Sequence, residues 1–383
     1  LRQLQVSDFA SVEEMRVLLL DTLRSIQTEK RRGQVEDFDA ARFSDATAFV
    51  RIGGGSLGGK GRGLAFMHDL LSRARPATDA GDARIVVPRS CVVGTDVFDR
   101  FLDAGELLAP ALAAGDDRHV LRLFLASPLP DDIVAELAAY LDGVRVPLAV
   151  RSSSLLEDSH LLPAAGVYPT HMLPNVADDP ALRLADLAGA IRHIYAATFF
   201  RRARAYLAST SSLVEDEKMA VVIQPVVGRR HGQLFYPDLG GTAASYNYYP
   251  VREMRPEEGV ASVVLGLGKA VVEGERAVRF CPAHPEWLPQ FSTPDDCLDN
   301  AQREFLALDL SRELDYCDPD PDTNIVRRGL AVAERDGTLW PVASTYSADS
   351  HAVHDGTSRP GVRLVTMAPV LKHDLFPLAR TVR

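Results

Sequence analysis

The feature that most constrains this chain is a run of five glycines in seven residues, 53–59, placed between a strand-like segment and a lysine. Ala48-Phe49-Val50 reads as an apolar strand. The chain continues Arg51-Ile52-Gly53-Gly54-Gly55-Ser56-Leu57-Gly58-Gly59-Lys60, after which Leu64, Met67 and Leu71 recur at helical spacing. Residues without a Cβ let backbone amides come close to a ligand. Strand, glycine loop, lysine and helix in that order form a cradle for phosphate groups. It is not a Walker A loop, because no Gly-Lys-Ser/Thr follows at the required spacing. By itself the run fits a phosphate cradle or a flexible turn.

Composition adds weight to the lysine. Of 42 basic residues only five are lysine (Lys30, Lys60, Lys218, Lys269, Lys372), so a lysine inside a candidate site is informative. The formal net charge of -10 argues against a surface built to hold a nucleic-acid backbone. With 383 residues, 46% of them hydrophobic, the chain can bury two or three packed subdomains. Cys91, Cys281, Cys297 and Cys317 have no metal-like spacing, which fits a reducing compartment and gives no zinc site. No apolar run reaches the roughly 18 residues of a membrane helix. The expectation is a soluble, cytoplasmic protein. A first residue other than methionine suggests a processed or excised piece of something longer.

The rest of the pattern is α+β. Ser11-Val12-Glu13-Glu14 is a capping box, and Val12, Met15, Leu19, Leu23 and Ile26 continue an opening helix. Strands are expected at 85–87, 92–93, 147–150, 219–227, 242–249, 261–265 and 277–280, and helices near 96–104, 131–142 and 178–208. Asp336-Gly337 suggests a hairpin between 329–334 and 338–343. The division expected is a helical segment to 47, an N-terminal lobe over 48–146, a central lobe over 147–290 and a C-terminal segment over 291–383.

Three further constellations carry chemistry. Arg151-Ser152-Ser153-Ser154 ends the strand at 147–150 and precedes Glu157-Asp158. It can clamp a phosphate and help hold a metal ion, or it is a strand end leading to a serine-capped helix. Lys218 opens an apolar strand interrupted by Gln224, whose amide needs partners and could meet an adenine edge or a backbone group. Gly266-Leu267-Gly268-Lys269, followed by Val271-Val272-Glu273-Gly274, is a second glycine-and-lysine loop.

Taken in order, these segments resemble the nucleotide-binding domain of the phosphoenolpyruvate synthase and pyruvate phosphate dikinase family. The matches are Gly58-Gly59-Lys60-Gly61, Val150-Arg151-Ser152-Ser153 with Glu157-Asp158, and Ala165-Gly166 with Thr170. Arg202-Ala203-Arg204-Ala205-Tyr206, Ile223-Gln224 and the loop 266–274 complete them, so the resemblance spans roughly 48–280. It implies an ATP-grasp-like fold whose two lobes close on Mg-ATP. Lys60 and Arg151 would grip phosphates as catalytic groups. Gly58, Gly59, Ser152, Gly166 and Thr170 would help bind the nucleotide, and Gln224 would face the base. The family passes phosphate to a histidine on a separate domain, and a further domain passes it between pyruvate and phosphoenolpyruvate. Those domains, not nucleic acid or membrane, would be this kinase-type transferase's partners.

The match departs at Ala164 and Pro169. Anchoring on Leu339-Trp340 also puts Ala331, Ala343 and Thr345 where the family has a glutamate and a Gln-x-Arg that hold metal and phosphate. The metal ligands are therefore unassigned, and a non-catalytic nucleotide-sensing module is the alternative. Ser350-His351-Ala352-Val353 resembles the family's phosphohistidine segment only superficially, and His351 reads as a loop histidine. Arg229-Arg230-His231 reads as a solvated loop, and His193 has no matching base or ligand spacing.

Overall fold

A computed structural model describes Arg16 and residues 35–44, 48–74, 84–154, 166–209, 214, 217–311, 314–319 and 324–383. The opening helix expected at the N-terminus, apart from Arg16, and Glu157, Asp158 and Ala165 lie outside the described residues.

The larger unit is built on a six-stranded sheet. Its strands are β1 (Glu36–Asp37), β2 (Phe49–Ile52), β3 (Ser90–Val93), β4 (Leu148–Ser154), β5 (Thr170–Leu173) and β6 (Met219–Pro225), in the order β1-β2-β3-β6-β4-β5. The first three run parallel, while β6 is antiparallel to both β3 and β4, and β5 is antiparallel to β4. The helices are α1 (Gly58–Ala74), α2 (Thr95–Ala104), α3 (Leu108–Ala113), α4 (Asp117–Ala126), α5 (Asp131–Asp142), α6 (Pro180–Ala197) and α7 (Arg201–Ser209). Side chains alternate across each strand, so the sheet has two apolar faces. Val50, Ile52, Val93, Val150 and Ile223 turn to the large core shared with Phe98, Phe101, Phe124, Leu137 and Tyr195. Phe49, Val92, Ala220 and Val222 turn the other way and meet Leu57, Leu64 and Ala65 around α1.

Arginines close three helix C-termini, where carbonyls lack intrahelical partners. Arg183 donates to Leu141 O at 2.9 Å and Arg192 to Leu125 O at 2.6 Å. Arg204 donates to Ala111 O and, at 3.1 Å, to Leu112 O. Arg183 is 1% exposed, so the cap is part of the core.

The second unit is β-rich. β7 (Arg229–His231) and β8 (Leu234–Tyr236) form a hairpin, which joins β12 (Glu304–Asp309) and β13 (Ile325–Gly329) in an antiparallel sheet ordered β13-β12-β8-β7. β9 (Gly240–Ala244), β10 (Val260–Val264) and β11 (Val278–Phe280) form a second sheet, and β14 (Ala343–Ser347), β15 (Ala352–Asp355) and β16 (Val362–Val365) a third. Short helices α8 (Lys269–Val272), α9 (Pro294–Asn300), α10 (Leu330–Arg335), α11 (Ala368–Leu371) and α12 (Leu378–Val382) pack between them. The six-stranded sheet takes strands from both sides of residue 146, and the change of sheet comes after β6. Met172 and Val226 pack against Phe235, Leu308 and Leu310, which joins the two units.

The α+β class holds, and four local expectations do not. Residues 85–87 form no strand, because β3 begins only at Ser90, where it meets β2. The helix expected over 178–208 is broken at residues 198–200 into α6 and α7. No hairpin turns at Asp336-Gly337: Leu330–Arg335 is helix, and Gly337, at φ +76°, follows its C-cap. Arg229-Arg230-His231 is strand β7, with His231 stacked on Tyr236 at 4.5 Å between ring centroids.

Candidate functional site

The glycine run forms the turn from β2 into α1. Gly53, Gly55 and Gly58 have φ of +68°, +79° and +68°. A Cβ on Gly58 would lie 1.7 Å from Ser153 O, so only glycine lets the loop touch β4. The helix starts earlier than the sequence suggests: Gly58, Gly59 and Lys60 form its first turn. The loop is held by side chains from distant segments. Gly54 N donates to Asp96 Oδ1 at 2.6 Å and Ser56 N to Thr95 Oγ1 at 2.9 Å, both at the start of α2. Ser153 Oγ donates to Leu57 O at 2.8 Å and accepts from Gly61 N at 2.9 Å. Lys60 Nζ donates to Ser152 O at 3.1 Å and lies 3.4 Å from Ser152 Oγ. Two of the sequence-derived constellations therefore meet.

Arg151 and its serines lie within β4, not beyond its end. Strand registers place Arg151 opposite Thr170 on one side and Val222 on the other, and Ala149 opposite Gln224 and Met172. Because Ala220 and Val222 face α1, alternation puts Arg151, Ser153 and Gln224 on that same face. Arg151 is then the diagonal neighbour of Gln224, about 7–8 Å away. From Ser153 to Ala149 the strand advances about 13 Å at 3.3 Å per residue. That is the order of length an extended nucleoside triphosphate covers. Arg151 is half-buried, with no side-chain hydrogen bond or ion pair among the described residues. Gln224 is buried and donates from Nε2 to Ser90 Oγ at 2.9 Å. Gly166 stands apart, in a turn at φ +77° beside Arg202.

The second glycine loop differs. Gly266, at φ +86°, pairs with Leu306, and Leu267 N donates to Leu306 O at 2.9 Å, folding the loop onto β12. Lys269 lies 3.3 Å from Glu273, one turn along α8.

The fit for magnesium is poor. Among the described residues no group of three or more His, Cys, Asp or Glu side chains could hold a metal ion. Ala331 lies on α10 and Ala343 opens β14, and neither supplies an oxygen ligand from its side chain. Thr345 Oγ1 donates to Gly356 O at 2.8 Å and accepts from Arg363 at 2.8 Å, while Arg363 Nε donates to Glu334 at 2.9 Å. These three side chains form a network that ties α10 to the third sheet. The antiparallel strands that reach the first unit are β8 and β12, through Phe235 and Leu308.

Sequence reasoning missed a buried histidine pair. His171 Nε2 lies 3.2 Å from His193 Nδ1, and His193 Nε2 is 3.0 Å from Asp318 O. Burial, then the neighbouring His193, pushes the His171 pKa down to about 3, so the ring is neutral at ordinary pH. The two residues are separated by 22 positions, and only the pairing of β5 with β4 beneath α6 brings them together. His351 is a loop residue with a 60% exposed side chain, its Nδ1 3.0 Å from Tyr346 Oη. Cys91, Cys281 and Cys297 are buried free thiols and Cys317 is exposed. Burial, then Glu136, raises the Cys91 pKa. No described helix is long and apolar enough to cross a membrane.

Comparison with known proteins bears on the family of the chain. The prodigiosin synthesizing transferase PigC of Serratia marcescens is 27% identical over 274 residues, which cover 70% of this chain and 26% of that protein. The chain thus spans about a quarter of the length of that relative. The family model described as the pyruvate phosphate dikinase AMP/ATP-binding domain matches residues 55–281, more than half of the chain, and takes in the first glycine loop from Gly55, the second glycine loop, Arg151 and Gln224. The chain belongs to the family of the pyruvate phosphate dikinase AMP/ATP-binding domain.

Proposed function

We propose that the chain binds ATP on the α1 face of the six-stranded sheet, against the second unit, and acts as the phosphate-donating part of a larger phosphotransferase. The observation that carries this is the shared face: the Lys60–Ser152 contact lies at one end, Arg151 and Thr170 beside it, and Gln224, opposite Ala149, about 10 Å along the strand. Lys60 and Arg151 supply positive charge to phosphate oxygens. Thr170 offers a hydroxyl beside Arg151, Gly58 and Gly59 let the backbone approach, and Ser152 holds Lys60 in place. Gln224 faces the base. The acceptor is a histidine on a domain outside this chain, and a pyruvate/phosphoenolpyruvate domain is a further partner. PigC is itself named a transferase, which supports group transfer as the class of reaction.

For the transfer itself, the chain's own residues orient the triphosphate and offset the charge that develops on it. The described residues do not account for a magnesium site, so no step is assigned to the metal. Ala331 and Ala343 support a second reading, a nucleotide-sensing module that binds without turnover. A ligand that binds only the folded state raises the melting temperature. ATP should therefore shift it upward, and no shift at millimolar ATP would refute nucleotide binding. Slow turnover of bound ATP by the chain supports the transferase reading, and none, even with partner domains added, supports the sensor.

A further inference from the structure

We propose that Ser90 is a positioning residue that fixes the amide of Gln224, so that the site selects a purine carrying a 6-amino group over one carrying a 6-oxo group. This rests on the nucleotide reading above and adds the rule by which the base is chosen.

Ser90 is fully buried at the start of β3, on the same face as Val92. Its hydroxyl has one proton, which it donates to Pro88 O at 2.9 Å. What it offers Gln224 is therefore a lone pair. The amide turns its Nε2 to that lone pair at 2.9 Å, which sends Oε1 the other way. Gln224 keeps 7% of its surface exposed, and Oε1 has no hydrogen-bond partner among the described residues. The acceptor left over is thus set by a proton held two residues upstream of Ser90, not by the glutamine itself.

The neighbourhood suits a flat ring. Gln224, Ala149 and Met172 form a row across β6, β4 and β5, and Met172 packs on Phe235 and Leu308 of the second unit. A base laid along this apolar row brings one edge to Oε1. A carbonyl oxygen only accepts, so an exocyclic amino group satisfies it. A 6-oxo group sets two acceptors against each other and leaves both unsatisfied. Without Ser90 the amide is free to turn over and present its NH₂ group to either base.

The test is calorimetric titration of the whole chain with ATP and with ITP, which differ at this position, both with magnesium. The wild type should bind ATP at least about tenfold more tightly than ITP. Ser90→Ala should reduce the ratio to about twofold or less while ITP affinity holds or improves. Ser90→Thr, which keeps the hydroxyl, should restore the preference. A preference that survives Ser90→Ala in a protein of normal melting temperature overturns the proposal, as does a wild type that binds the two equally. If Ser90→Ala does not fold, Gln224→Leu makes the same test: discrimination surviving it overturns the proposal and its loss supports it. A wild type that binds neither nucleotide fails differently, because it removes the nucleotide reading itself.

Discussion

The two glycine-and-lysine loops look alike in sequence and are built for different ends. The first turns from β2 into a 17-residue helix and is held by Thr95, Asp96 and Ser153, with its lysine reaching Ser152 on another strand. The second lies on β12 through backbone contacts, and its lysine pairs with Glu273, the C-cap of its own four-residue helix. One loop gathers charge onto a sheet face shared with Arg151 and Gln224. The other neutralises its charge locally. Glycines and a lysine after a strand therefore report a tight turn, and what the lysine touches decides whether it serves a site.

The largest expected effect separates the two loops by sterics. Gly58→Ala sets a methyl 1.7 Å from a backbone oxygen at positive φ, and should cost roughly 3 kcal/mol or more and abolish ATP binding. Gly274→Ala, also at positive φ but with nothing within 4 Å, should cost only about 1–2 kcal/mol. Denaturant unfolding of both variants checks the contrast; equal costs would break it.

Acid should act on the first unit before the second. The His171 pKa is lowered in the folded state, so the unfolded chain binds the extra proton. Its contribution is complete above the ordinary histidine value of 6.5 and is lost as pH falls toward about 3. The slope approaches about 1.4 kcal/mol per pH unit. Both tryptophans, Trp287 and Trp340, lie in the second unit. Helical circular dichroism should therefore fall at a higher pH than the pH at which tryptophan fluorescence changes. Coincident transitions would show that the histidine pair does not set the acid limit of the first unit.

Lysine replacement sharpens the comparison further. Lys60→Ala removes a charge-assisted contact and should weaken ATP binding by roughly 1.5–3 kcal/mol. Because Lys60 bonds Ser152, the same change should also lower the melting temperature, so its effect is not on ligand alone. The smallest effect belongs to Lys269→Ala. Its pair with Glu273 joins side chains 38% and 47% exposed, and losing it should cost under about 1 kcal/mol and leave ATP affinity nearly unchanged. Equal losses of affinity in the two variants would place the second loop at the nucleotide as well.

Much of this site was legible because its elements are contiguous in sequence. A strand, five glycines, a lysine and an amphipathic helix specify the β2–α1 turn, and the ordered segments at 151 and 224 point to the same family. Its support was not legible. Thr95 and Asp96 meet the loop from about 40 positions away, and the serine beneath Lys60 from 92, so their pairing depends on strand order. Asp336-Gly337 misled because the same dipeptide suits a hairpin turn and a helix end. Here Tyr236, 100 positions away, donates to Asp336 at 2.9 Å and holds the helix end. That Arg151 lies inside a strand, on the face of Gln224, follows only once the register of β4 with β6 is known.

Arg151 gives the most direct test of the central claim, that one face of the six-stranded sheet holds the triphosphate. Its side chain has no hydrogen bond or ion pair among the described residues, so Arg151→Ala removes charge from the face without loosening the fold. The measurement is calorimetric titration of wild type and variant with ATP and magnesium. One site is expected in the wild type, with at least about tenfold weaker binding in a variant of unchanged melting temperature. Equal affinity in the two proteins would contradict that claim.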